Sequence, residues 1–188
     1  MEFMEALQRR YSCRRYTDQP VDRELLRQLM EAGRLAPSAC NSQRWMFIAV
    51  DDPEKKASIA ASMHNEEWKI NSFAAKIPAF IAVIRHPVRN PSPMQQGLLN
   101  SHKDDGDWAM LDIGIAASQI CLAATDLGLG SVMIGWYDRE VVKQVLELPD
   151  GLEPALFIGV GHPENPASNR KAIRLPYEEI GRFNSYNS

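Results

Sequence analysis

Apolar residues recur along this chain with two different periods, and the change from one to the other marks its elements. Val21, Leu25 and Leu29, with Leu26 and Met30 beside them, return every four residues, which predicts an amphipathic helix running to about Ala36. Asp22 offers an N-cap for it and Pro37 stops it. A shorter helix is expected from Glu2 to Arg10, with Phe3, Met4 and Leu7 on one side. Trp45 to Val50, Ser131 to Ile134 and Ala155 to Gly161 read as strands. Pro78 to Ile84 is a continuous apolar run of strand length, expected to be buried on both faces. Asp52-Pro53 opens a region read as helical to about Lys76, with weak periodicity.

Asp107 to Leu129 is the longest expected helix. Trp108, Leu111, Ile115 and Leu122 give it bulk, while Gly114, Ala116, Ala117, Ser118, Ala123 and Ala124 give almost none. A helix apolar nearly all round is expected to be buried on most sides, and Trp108 is read as packing in the core or under a lid. Its small residues suit close approach by another helix, in a dimer interface or in a monomeric core. Gly128-Leu129-Gly130 ends it by a glycine cap. Asp138 caps a further helix through about Leu146. Pro37 to Gln43 is a turn-prone loop. Residues 86–106 are rich in Pro, Asn, Ser and Gly without periodicity, which reads as a lid or mobile insertion. From His162 onward (162–188) the tail is polar and proline-broken, with Arg170, Lys171 and Arg174 before a short turn at Tyr177 to Ile180. No repeat and no second domain is visible, so one domain over 1–188 is expected.

A length of 188 residues is enough to bury a sizeable core. A formal net charge of -3 argues against general nucleic-acid binding, which wants a basic surface. The apolar run Ile113 to Cys121 is too short for a membrane span, and the first residues lack the basic start and apolar run of a signal peptide. The cytoplasm is the expected location, with no membrane partner. Cys13, Cys40 and Cys121 have no Cys-x-x-Cys spacing, which fits reduced thiols better than disulfides or zinc. His64, His86, His102 and His162 are scattered without metal-ligand spacing, so no metal site is expected. Gly159-Val160-Gly161 is not a dinucleotide fingerprint, because the third glycine and its helix are missing.

The chemistry concentrates in Arg9 to Tyr16, where four arginines and a serine fall within eight residues. Guanidinium groups fork onto phosphate oxygens and keep their charge at any working pH. The stretch is either a solvated basic face or a cradle in which Arg10, Ser12 and Arg14 hold a phosphorylated cofactor.

Five pieces, in order, bear on that choice. They are Arg-x-Ser-x-Arg from Arg10, Pro-Ser-x-x-Asn-Ser-Gln-x-Trp from Pro37, the small-residue helix ending in Leu-Gly-Leu-Gly, the Ile134-Gly135 turn, and Arg-Leu-Pro-x-Glu-Glu from Arg174. Together they resemble the FMN-dependent nitroreductase family over nearly the whole chain. The resemblance implies an α+β fold: a mostly antiparallel central sheet flanked by helices, a nitroreductase-like three-layer sandwich. It implies a homodimer with FMN at the shared interface and NADH or NADPH as electron donor. On that pattern Arg10 and Arg174 grip the 5′-phosphate, with Lys171 as a possible third cation, and Ser12 donates to the phosphate or ribityl chain. Arg14 points at the pyrimidine edge, where Asn71 also makes contact. Pro37, Ser38 and Ala39, with Asn41 in the same loop, reach the flavin from the partner subunit. Gly135, after Ile134, presents a backbone N–H near N5, and Tyr11 lies within the first motif. No catalytic side chain is implied, because the cofactor carries the chemistry and the protein orients it.

The implied reaction is ping-pong hydride transfer through flavin N5 to a nitroaromatic, quinone or related small-molecule acceptor. Two alternatives stay open: a different reaction on the same fold (dehalogenation, ring oxidation or flavin fragmentation), and a non-catalytic FMN-binding protein. Departures from the family pattern bear on the choice. Arg44 stands where the loop usually has proline, Trp136 where a second glycine is common, and Lys171 three residues before Arg174 where one or two is usual. Trp136 either narrows the pocket or packs against the neighbouring helix.

Overall fold

Strands β1 (Trp45–Val50), β2 (Ala79–Arg85), β3 (Gly130–Ile134) and β4 (Glu153–Gly161) form one antiparallel sheet in the order β1-β2-β4-β3. The computed structural model describes residues 1–65, 67, 70–87, 92–94, 97, 107–165 and 173–186. The apolar run in β2 sits centrally, as its composition demands: every residue from Ala79 to Ile84 is 0 % exposed. It is flanked by β1, with Trp45 opposite Arg85, and by β4, with Ala79 opposite Val160.

Helices cover both faces. On one, α2 (Arg23–Arg34) and α4 (Asp107–Asp126) bury Leu26, Leu29, Ile113 and Ile120 against Ile81, Val83, Ile158 and Val160. On the other, α3 (Pro53–Ser62) and α5 (Arg139–Val145) bury Ile59 and Val142 against Phe80, Ala82, Ile84 and Phe157. The Phe157 ring there meets Phe80 and Tyr137 edge-on, at 6.0 and 5.1 Å. The result is the α+β three-layer arrangement. Asp22, Asp52 and Asp138 cap α2, α3 and α5 by accepting backbone N–H groups, which fixes where each helix starts. Short helices α1 (Phe3–Arg9) and α6 (Tyr177–Ile180) lie near the two ends of the chain.

The structure corrects three expectations. The helix opened by Asp52-Pro53 ends at Ser62 and does not reach Lys76. Beyond it come an Asn65–Ile70 bridge, Asn71 at φ +52°, which no α-helix accommodates, and a 3₁₀ turn at Ala74–Lys76. Second, α4 is not buried on most sides: Trp108, Leu111 and Ile115 are 56, 60 and 42 % exposed, so Trp108 is not a core residue. Third, the apolar stretch extends beyond Ile113 to Cys121. Trp108–Asp126 is long and apolar enough to cross a membrane by length and composition, although here one side of it packs on the sheet. Of the expected lid at 86–106, only residues 86, 87, 92–94 and 97 are described.

Candidate functional site

The arginine-bearing segment is laid along the outer edge of β3 by its backbone. Ser12 bridges Ser131 in the parallel sense, and Cys13 N–H donates to the Ser131 carbonyl at 2.9 Å. Further on, Tyr16 bridges Pro163, Thr17 N–H donates to the His162 carbonyl at 2.9 Å, and the Arg15 carbonyl accepts from Glu164 N–H at 3.2 Å. An extended chain alternates its side chains. With Cys13 buried, Ser12 and Arg14 therefore face outward; the alternation breaks after Arg14, where Arg15 is also exposed and Tyr16 turns in. Arg10 is half-buried and close enough to Cys121 to oppose the rise in thiol pKa that burial causes there.

Two glycines make the close approach possible. Gly130 and Gly161 face each other across β3 and β4. A Cβ on Gly130 would lie 2.7 Å from Cys13 Sγ, and one on Gly161 would lie 2.6 Å from Pro78 Cδ and 2.8 Å from Tyr16 Cδ1.

Four surface arginines are neutralised locally. Arg9 pairs with Glu5, Arg23 with Asp51, Arg27 with Glu24 and Arg34 with Glu31, at 2.6 to 2.8 Å. Among the described residues neither Arg10 nor Arg14 has a carboxylate partner. The Arg14 guanidinium lies over the Phe73 ring, 5.5 Å from its centroid, and reaches the Ser12 carbonyl at 3.4 Å. Phe73 stands two residues beyond Asn71, whose Nδ2 donates to the Trp136 carbonyl at 3.4 Å. Between Trp136 and the buried Ile134, Gly135 is exposed, and a Cβ there would meet nothing within 4 Å. Ser12, Arg14, Phe73, Asn71, Gly135 and Trp136 thus form one group around an open patch of backbone. Its cation, Arg14, suits a phosphorylated or otherwise anionic ligand.

The remaining candidates lie elsewhere. Tyr11 directs its hydroxyl to Cys13 Sγ at 3.7 Å and to the Asn165 carbonyl at 3.5 Å, and burial, with Cys13 adding to it, pushes its pKa up to about 12. Pro37, Ser38, Ala39 and Asn41 belong to a loop braced from within: Ser38 Oγ accepts from Gln43 N–H at 3.0 Å, and Gln43 Nε2 donates to the Asn41 carbonyl at 3.3 Å. Ala39 N–H and Ser42 Oγ donate to Asp112 on α4, at 3.0 and 3.4 Å. Arg174 is exposed and donates to the adjacent Ile173 carbonyl at 3.3 Å, and no described contact joins it to Arg10. Lys171 lies outside the described residues. Phe73 and Asp112 escaped the sequence reading. A lone acid between Leu111 and Ile113 on an apolar helix was the available signal for Asp112. Phe73 gave none. Among the described residues no group of three His, Cys, Asp or Glu is placed to hold a metal ion.

The chain matches the family described as "Nitroreductase family" over residues 7–162. It is 31 % identical to the FMN reductase [NAD(P)H] of Bacillus subtilis (strain 168), an alignment covering 98 % of this chain and 74 % of that protein. Its fold is similar to the crystal structure of the nitroreductase family protein from Streptococcus pneumoniae TIGR4. The TM-score is 0.82 and the identity 28 %, with 96 % of this chain and 99 % of that one covered. It is similar also to an FMN-dependent nitroreductase from Clostridium difficile R20291, with a TM-score of 0.75, 26 % identity, and 97 and 99 % of the two chains covered.

Proposed function

The chain belongs to the nitroreductase family, and on that premise we propose that it is an FMN-dependent oxidoreductase that uses NAD(P)H to reduce nitroaromatic, quinone or related acceptors. The observation that carries this reading is the Arg14 guanidinium, without a carboxylate partner among the described residues and lying over Phe73, in the same group as the open backbone at Gly135. The residues present fit the cofactor. Unpaired cations suit a phosphate and an electron-rich ring edge, and a glycine without neighbours leaves room for a flat ring to lie close.

Arg10, Ser12 and Arg174, with Lys171, would hold the phosphate end, while Arg14 and Asn71 serve the pyrimidine edge. FMN, when bound, supplies the two-electron chemistry, taking hydride from NAD(P)H and passing it to the acceptor. Around it the chain binds, orients and screens. Arg14 adds fixed positive charge without a proton to lose, which favours the reduced form. Its contact with Phe73 biases the exposed guanidinium toward that side of the patch. Asn71, by holding the Trp136 carbonyl, sets the direction in which the Gly135 backbone faces.

We read the working unit as a homodimer in which the Pro37–Asn41 loop reaches the flavin of the partner subunit. The exposed apolar side chains of α1 and α4 (Phe3, Met4, Leu7, Trp108, Leu111 and Ile115) support a second copy there. We read its location as the cytoplasm, where NAD(P)H is at hand. Trp136, 41 % exposed beside Gly135, favours acceptors flat or small enough to pass an indole.

The purified protein should be yellow and should bleach anaerobically with NADH or NADPH. Its colour should return with nitroaromatics or quinones. Donor and acceptor share one pocket in turn, so initial-rate lines at several acceptor concentrations should be parallel. A colourless protein indifferent to FMN would refute the proposal. Bleaching without reoxidation by any such acceptor would transfer the case to another reaction on the same fold.

A further inference from the structure

We propose that Asp112 is a positioning residue: from α4 it holds the 37–43 loop in the one shape from which that loop reaches the partner subunit's flavin. The inference rests on the dimeric flavin reading above. It starts from a side chain that is out of place. Asp112 is 4 % exposed, on a helix face it shares with the fully buried Ala109, Ile113 and Ala116. No lysine, arginine or histidine pairs with it among the described residues. A buried carboxyl without a counter-cation costs stability, and an apolar side chain of similar volume would serve the α4 core better.

What the carboxyl does have is the loop. Its Oδ1 accepts from Ala39 N–H at 3.0 Å and its Oδ2 from Ser42 Oγ at 3.4 Å, 73 and 70 residues away in sequence. Those two groups stand at opposite ends of the 3₁₀ turn Ala39–Asn41, so one side chain clamps the turn at both ends.

The turn needs a clamp. Cys40, Asn41 and Gln43 have φ of +51°, +53° and +47°, in the left-handed region that non-glycine residues occupy only when the surroundings hold them there. Ser38 Oγ, accepting from Gln43 N–H, closes the loop on itself, and Asp112 ties both ends of the turn to the helical frame. A strained loop held by a buried carboxyl is a poor device for stability. It is a good one for presenting Pro37, Ser38, Ala39 and Asn41 in a fixed order beyond the edge of the subunit.

The test uses the full-length dimer. D112A removes both acceptors and is expected to raise the FMN dissociation constant about tenfold, the loss of one well-placed contact set. D112N keeps an acceptor for Ala39 N–H and offers its amide to Ser42 Oγ, so it should stay within about twofold of wild type. The decisive arm is a mixed dimer of D112A with R14A, separated by two affinity tags. If Asp112 serves the partner's site, one of the two sites in that dimer has both residues intact and should bind FMN with wild-type affinity, although both parent homodimers bind weakly. A purely structural defect does not complement in this way. Four results would overturn the role: D112A binding FMN like wild type, D112A losing its dimer, D112N as impaired as D112A, or a mixed dimer without a wild-type site. A wild-type protein that binds no FMN, or an R14A variant that binds it normally, would instead strike the flavin reading itself, and this inference with it.

Discussion

Alanine at Gly130 would put a methyl carbon where the chain has no room. Its Cβ would stand 2.7 Å from Cys13 Sγ and 2.8 Å from Cys13 Cβ, whereas nonbonded carbons rest about 3.5–4.0 Å apart. The sulfur can swing about χ1. The Cβ moves only with its backbone, and that backbone is bonded to the neighbouring Ser131 carbonyl at 2.9 Å. Residues 12–14 must therefore move outward by roughly 1 Å to restore contact distance. Overpacking of this kind costs about 1–3 kcal/mol, and a backbone-linked neighbour puts it near the top of that range. Replacing glycine within a strand returns about 0.5–1 kcal/mol. The net loss is about 2 kcal/mol, and at about 2–4 °C per kcal/mol for a chain of this size Tm falls by about 4–8 °C. The displaced segment carries Ser12 and Arg14, so FMN affinity should fall as well. Thermal melts and quenching of FMN fluorescence on titration measure the two effects. In a double-mutant cycle C13A should cost less in the G130A background than in wild type, because the sulfur contact has gone and only the Cβ contact remains. A G130A protein that melts within about 1 °C of wild type and binds FMN unchanged would refute the close-approach argument.

R10A and R14A should each weaken FMN binding by about tenfold or more. R9A, whose guanidinium is already paired with Glu5 at 2.8 Å, should leave it unchanged; equal effects at Arg9 and Arg14 would contradict the assignment. D138A removes the acceptor of Glu140 and Val141 N–H at the start of α5. It should cost about 1 kcal/mol and lower Tm by about 2–4 °C, read by calorimetry. Tyr16 donates to the Cys13 carbonyl at 2.8 Å in a buried site, so Y16F should lose about 1 kcal/mol at neutral pH. Burial, then Cys13, raises the Tyr16 pKa above its usual 10.0. The folded chain therefore keeps a proton that the unfolded chain releases, and wild-type stability falls as pH rises beyond that value. Urea midpoints at pH values below and above it should show a shallower alkaline loss for Y16F. Some loss should remain, since burial also pushes Tyr11 and Tyr137 up to about 12.

Much of this frame was legible because apolar runs translate directly into strands. Trp45 to Val50 needed no tertiary information, and neither did the aspartates that cap α2 and α5. The end of α3 was not legible. Asparagine tolerates a left-handed φ, but its type alone does not say that Asn71 adopts one, and the Asn71 bond that accompanies it goes to Trp136, 65 residues on. Trp108 misled for a different reason: a helix with one apolar side left exposed and a helix inside a core have the same composition, and only the fold shows which side is covered. Arg10, Ser12 and Arg14 were visible as a charge pattern. The Arg-x-Ser-x-Arg motif singled them out from Arg9, but the sequence did not show that Arg9 pairs with Glu5 while Arg14 lies over Phe73.

The location of the candidate site follows from the sheet. β3 is an edge strand of five residues, paired with β4 on one side only, and a bare edge invites pairing with another chain. Here the edge is covered at Ser131 by the segment around Ser12. Covering it there forces alternate side chains of that segment outward, and those positions hold Ser12 and Arg14. Gly135 follows directly after the last residue of β3, so the cations and the open backbone are set by the same strand. Asn71, from the turn after α3, then fixes the Trp136 carbonyl at the strand's exit. Three segments distant in sequence converge because each satisfies backbone or amide groups around one short strand. A site built this way depends on the packing of Gly130 and Gly161 as strictly as on its arginines.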